Sequence, residues 1–159
     1  MNVKKFCKIM MITFGCVALT ACGKNTDPKL ESYKESMEDF YSKLSYYDQS
    51  INSLNPEEEG SKAELLDILD QMNDSYAAMA ELEVPEEFSG ISDLPAEAAD
   101  YMKMADEFYH MAYDGEFDID NEALAAQYYE RANNRAMVIL QVLHGEVPSV
   151  EGVSVDEGE

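Results

Sequence analysis

Residues 30–54 read LESYKESMEDFYSKLSYYDQSINSL. The apolar residues Leu30, Tyr33, Met37, Phe40, Leu44, Tyr47, Ile51 and Leu54 follow one another at alternating steps of three and four. Only a helix places such a series along one stripe, and the stripe is a heptad seam that must be covered by other apolar surface. Asp27-Pro28 starts it, with Asp27 as N-cap and the proline in the first turn, where a missing N–H costs nothing. The same seam permits a coiled-coil dimer, a minor alternative to packing within its own chain.

Three further segments supply that cover. Asn55-Pro56 repeats the capping device, so a second helix is expected from Pro56 to about Glu83, with Glu57, Glu58 and Glu59 at the positive end of its dipole. Leu65, Leu69, Met72, Tyr76 and Met79 mark its apolar side, with Leu66 and Leu82 beside them. After the breaker loop VPEEFSGISD (84–93), a third helix is expected from about Leu94 to Tyr113, carrying Leu94, Ala98, Tyr101, Ala105, Phe108 and Ala112. Asp114-Gly115 closes it. A fourth, from about Asp120 to His144, carries Leu124, Tyr128, Ala132, Ala136, Ile139 and Leu143, and Gly145 is placed to end it. At ~1.5 Å per residue these helices are similar in length, and short connections favour antiparallel neighbours. The fold class expected is all-α: an up-down-up-down four-helix bundle over residues 28–145, followed by a disordered acidic tail, EVPSVEGVSVDEGE (146–159).

The start of the chain has a different character. Lys4, Lys5 and Lys8 precede an apolar run, Ile9 to Leu19, of about 11 residues, the size of a signal-peptide core and short of the ~20 that span a bilayer. The run ends Leu19-Thr20-Ala21-Cys22-Gly23, which resembles the lipobox of bacterial lipoproteins. That resemblance implies cleavage between Ala21 and Cys22, a diacylglycerol on the Cys22 thiol, and acylation of the new N-terminus. It divides the chain into a signal peptide (1–21), a lipidated tether (22–27) and the bundle. It also implies attachment to the extracytoplasmic face of a cell membrane. Two or more acyl chains hold a soluble domain stably on a bilayer, at about 0.8 kcal/mol per buried methylene. An ordinary secretory signal with an incidental cysteine is the alternative. The phrase ELEVPEEF (81–88) is similar to the hinge between helix pairs in small helical lipoproteins of uncharacterised function, a likeness that implies no activity.

Cleavage would leave 138 residues, with Cys22 the only remaining cysteine, so no disulfide framework, thiolate cluster or cysteine nucleophile is expected. Loss of the three signal lysines takes the formal charge from −22 to −25. Phosphate backbones and anionic headgroups repel such a surface, which excludes nucleic acid as a partner and leaves the lipid to hold the membrane.

Candidate sites are few. Glu107 and His110 have the E-x-x-H spacing of di-iron bundles, but those need two such pairs, and His144 is preceded by Gln141 rather than an acid. By helical angle His110 turns away from Tyr101, Ala105 and Phe108 toward solvent. Asp106, His110 and Asp114, at i, i+4 and i+8, form an exposed set that could share a surface ion such as zinc, against the plainer reading of a solvated face. Met102 and Met104, about 200° apart on a helix, cannot chelate copper together. Asp118, Asp120 and Glu122 alternate like a calcium loop, but Ala123 and Tyr129 occupy the positions of its glycine and closing glutamate, so a loop capping the fourth helix is expected, with weak cation binding at most. No catalytic residue, cofactor or metal is assigned.

Ten tyrosines with no tryptophan are the compositional signal. Tyr33, Tyr47, Tyr76, Tyr101 and Tyr128 fall on the seams, whereas Tyr41, Tyr46, Tyr109, Tyr113 and Tyr129 fall beside them and are candidates for an exposed partner patch. The function expected is a non-catalytic interaction module that binds an envelope or surface protein. The alternative is a small-ligand or cation-binding module working with a transporter.

Overall fold

The computed structural model describes residues 27–148; the lipobox, Ala21, Cys22 and the tail beyond residue 148 lie outside them. Four helices carry the fold: α1 (Pro28–Ser53), α2 (Ser61–Ala80), α3 (Leu94–Tyr113) and α4 (Ile119–Leu143), with a short 3₁₀ helix, Glu86–Ile91, between α2 and α3. Cross-helix contacts give their directions. Residues 29, 40 and 47 of α1 meet 83, 76 and 75 on and beyond α2; residues 70 and 73 of α2 meet 110 and 106 of α3. Glu97, Tyr101 and Tyr113 of α3 meet Arg135, Tyr128 and Glu122 of α4, and Tyr41 and Asp48 of α1 meet residues 136 and 129. Every neighbouring pair is antiparallel, so the bundle runs up-down-up-down.

The α1 seam packs as its spacing requires: Tyr33, Met37, Phe40, Leu44, Tyr47 and Ile51 are buried. Asp27 accepts a hydrogen bond from the Lys29 amide (3.0 Å), the cap expected of Asp-Pro. At the same end of the bundle Gly145, at φ +73°, lets the Gly145 and Glu146 amides donate to the Val142 and Gln141 carbonyls, so α4 closes in a Schellman turn. The second helix starts later than expected. Gly60 takes a left-handed φ of +100°, which interrupts the helix, and residues 55–60 form turns in which Asn55 accepts from the Glu57 amide.

The seams of α3 and α4 are rotated from their expected positions. Met102 and Tyr109 are buried where Tyr101 and Phe108 were expected, and Ala125 and Tyr129 replace Leu124 and Tyr128. The reason lies in the closest helix pair of the bundle, α3 and α4. Ala98, Ala105 and Ala112 on one and Ala125, Ala132 and Ala136 on the other are essentially fully buried, and small side chains let the two backbones approach. The displaced aromatics form a half-buried outer stack instead: Phe108 lies parallel to Tyr128 (5.6 Å), Tyr128 stacks on Tyr101 (6.2 Å), and Arg131 and Arg135 lie over these rings. Arg135 also donates to Glu97 (3.1 Å).

A larger side chain in the α3–α4 seam should therefore force the pair apart. Ala105→Leu is expected to cost about 1–3 kcal/mol, seen as a lower urea midpoint, whereas Tyr46→Ala at an exposed position should stay within about 0.5 kcal/mol of the parent.

Candidate functional site

Asp106 occupies a core position. With Met102, Tyr109 and Tyr113 it forms one stripe of α3, and it is 8 % exposed, which corrects its expected exposure. Asn73 of α2 donates from Nδ2 to Asp106 Oδ2 (3.3 Å), while Asp106 Oδ1 is buried without a hydrogen-bond partner. Burial, then the nearby Asp70 carboxylate, push the Asp106 carboxyl up to about 6, with His110 and Asn73 opposing and Asp74 adding to the rise.

One turn on, His110 lies between two acids. Its Nδ1 is 2.8 Å from Asp114 Oδ2 and its Nε2 is 3.1 Å from Asp70 Oδ1. A carboxylate at each nitrogen favours the doubly protonated ring. The imidazole is accordingly held above its ordinary value, first by the Asp114 hydrogen bond, with burial opposing and Asp70 reinforcing. One ligand atom from each of Asp70, Asp106 and His110 lies within 4.8 Å of the others. Of the expected set, then, Asp106 and His110 come together and Asp114 orients the ring from behind. Asp70 and Asn73 were not expected; they sit on another helix, and no spacing along the chain links them to His110.

The other candidates disperse. Glu107 is exposed and pairs with Lys103 (4.0 Å) rather than converging on His110. Met102 is buried and Met104 half-buried. Asp118 caps α4, accepting from the amides of Asp120 (2.9 Å) and Asn121 (3.1 Å), while Glu122 accepts from the Tyr113 hydroxyl. The exposed tyrosine patch does not form. Tyr46 is 66 % exposed, but Tyr41, Tyr109, Tyr113 and Tyr129 are buried. Their position beside the seam brings partners within reach: Tyr41 donates to the Ala136 carbonyl (2.7 Å), Tyr129 to Asp48 (2.9 Å), and Tyr109 stacks on Tyr113 (6.4 Å).

A second site lies at the opposite end of the bundle, where α1 begins. A groove of about 850 Å³ runs between the first turns of α1 and the chain from Leu82 to Glu87. Tyr33, Leu82 and Val84 contribute its apolar surface, and Asp27, Glu83, Glu86 and Glu87 its acidic rim. Lys29 pairs with Glu83 at 3.8 Å between exposed side chains. The Tyr33 hydroxyl is buried without a hydrogen-bond partner, and burial pushes it up to about 12.

The cluster fixes a pH dependence in the presence of a chelator. The folded chain keeps a proton on Asp106 that the unfolded chain, at the ordinary 3.8, has released. The resulting stability is full below about pH 4 and falls as pH rises to about 6. His110, raised in the fold, adds stability that is full below about 6.5 and lost as pH climbs through its folded value. Urea midpoints should drop between pH 4 and 6, and Asp106→Asn should flatten that drop and stabilise the chain at pH 7 by about 1–3 kcal/mol.

No family model, no curated protein and no solved structure matches this chain.

Proposed function

We propose that the chain is a bacterial lipoprotein whose bundle, anchored through Cys22 on the extracytoplasmic face of a cell membrane, works by binding an envelope protein rather than by catalysis. The observation that carries this reading is the groove beside Asp27. Only four residues lie between Cys22 and Asp27, a reach of at most about 18 Å from one to the other, so a lipid on Cys22 would hold the groove at the bilayer surface. A membrane protein emerging beside the anchor would meet it first.

The chemistry of the groove names the segment it would take. Its rim sets four acids against one lysine that already has a partner, and its floor is apolar with one hydroxyl left to donate. That complements an extended basic segment with one or two apolar side chains and a backbone carbonyl for Tyr33. A second reading, a module that binds a cation and works with a transporter, is favoured by the carboxylate and imidazole cluster on α2 and α3.

Two measurements test the first reading. Labelled palmitate should enter the parent and not Cys22→Ala, and the variant should leave the membrane fraction; equal labelling would remove the anchor. A photo-crosslinker at Ser32, in the groove, should capture a discrete membrane protein on intact cells, and one at the exposed Gln127 should not. Glu86→Lys with Glu87→Lys should suppress the Ser32 adduct at least several-fold. The same adduct from both positions, or none from Ser32, would overturn the groove as a docking site.

A further inference from the structure

The geometry points to a divalent transition-metal site of the zinc class, held by Asp70 of α2 with Asp106 and His110 of α3. It gives the cation-binding reading above its ion and its ligands, and it is independent of the groove. Two acids and a histidine near one another are common on an acidic surface, so the case rests on how they are held.

Asp106 is the informative residue. A carboxylate 8 % exposed, in a core stripe of an apolar helix face, is costly, and one of its oxygens is buried without any partner. Asn73 bonds the other oxygen, which orients the carboxyl and leaves Oδ1 without a partner, and one carboxylate oxygen of Asp106 lies within 4.8 Å of the ligand atoms of Asp70 and His110. His110 is oriented the same way. With Asp114 accepting at Nδ1 (2.8 Å), the Nε2 edge is turned toward Asp70 (3.1 Å), the arrangement in which a carboxylate behind a ligating histidine sets its tautomer and raises its basicity. Asp114 and Asn73 are thus positioning residues, and Asp70, Asp106 and His110 the ligands.

The donor set selects the ion. Imidazole nitrogen suits zinc and its neighbours and not magnesium or calcium, which take oxygen. Among the described residues there is no cysteine to draw copper(I), and the one nearby methionine of the same stripe, Met102, is fully buried. Two carboxylates and a neutral imidazole carry a charge of −2, matching a divalent ion, and three protein ligands leave a fourth tetrahedral position for water or for a group from a partner. Ligand atoms within 4.8 Å must close by about 1–1.5 Å around an ion with bonds near 2.0–2.2 Å. Asp70, half exposed on α2, has the freedom to make that movement.

Titration of the full chain in detergent with zinc, followed by calorimetry, and with cobalt(II), followed by visible absorption, tests the site. Wild type should bind one ion saturably, and cobalt should show the intense absorption of four-coordinate nitrogen and oxygen ligation. Asp106→Asn and His110→Gln should each weaken zinc at least tenfold, and Asp114→Asn should weaken it about tenfold through the ring it orients. His144→Ala and the groove variant Glu86→Lys with Glu87→Lys should bind as wild type. Asp106→Asn removes a buried charge, so its loss of binding is not a loss of fold; should it nevertheless fail to fold, His110→Gln at a one-third exposed side chain decides. Absence of saturable binding at 100-fold excess zinc, or equal binding in Asp106→Asn and His110→Gln, would overturn the site while leaving the groove untouched.

Discussion

Buried tyrosine hydroxyls govern how α1 sits on the rest of the bundle. A phenol ring fills a wide gap between helices, but its hydroxyl must find a partner or cost the fold its desolvation. Tyr41 reaches from α1 to the Ala136 carbonyl, Tyr129 from α4 back to Asp48, and Tyr76 from α2 to Asn133 (2.8 Å). The first two set both the separation of α1 from α4 and the register of their antiparallel pairing, and the third ties α2 to the same helix. A slip of α1 by one turn along α4 would break the bonds of Tyr41 and Tyr129. The opposite pair, α3 and α4, is spaced by alanine, so the bundle is tight on one side and wide on the other.

This asymmetry explains which parts of the fold were legible along the chain. The α1 seam is well marked, since six of its eight stations stand alone between polar residues and only Phe40-Tyr41 and Tyr46-Tyr47 are doublets. In α3 and α4 the stations come as apolar doublets: Tyr101-Met102, Phe108-Tyr109, Tyr128-Tyr129. Periodicity accepts either member of a doublet, and the choice belongs to the facing helix, which spacing within one segment does not contain. Alanine made that choice. Close approach of the backbones leaves no room for Tyr101, Phe108 and Tyr128 between them, and the rings go to the outer edge, where two arginines cover them. The same rotation carried Asp106 inward. Being acidic, it reads as solvent-facing, and only the true stripe of Met102, Tyr109 and Tyr113 exposes the error.

Electrostatics sharpen the cost of that burial. The chain has 33 acids and 11 lysines and arginines, so cations available to neutralise a buried carboxylate are scarce. Arg131 and Arg135 are committed to the outer aromatic stack. Near Asp106 the cation at hand is His110 itself, among Asp70, Asp106 and Asp114. One titratable charge among three acids is an unfinished balance, which a divalent ion would complete.

Unsatisfied buried polar atoms are rare in native proteins, and each asks for a reason. Among the described side chains there are three: Tyr33 Oη, Asp106 Oδ1 and Gln141 Oε1. Two of them fall in the two places where something else points to a ligand, Tyr33 at the acid-rimmed groove and Asp106 at the carboxylate and imidazole cluster. The third, near the end of α4, belongs to neither. A fold that supplies partners for Tyr41, Tyr76 and Tyr129 could equally have avoided both orphaned atoms, with a phenylalanine at 33 and an apolar side chain at 106. Retaining the orphaned atoms sacrifices stability at both positions, and the binding of a partner atom at each is the physical return that would offset it.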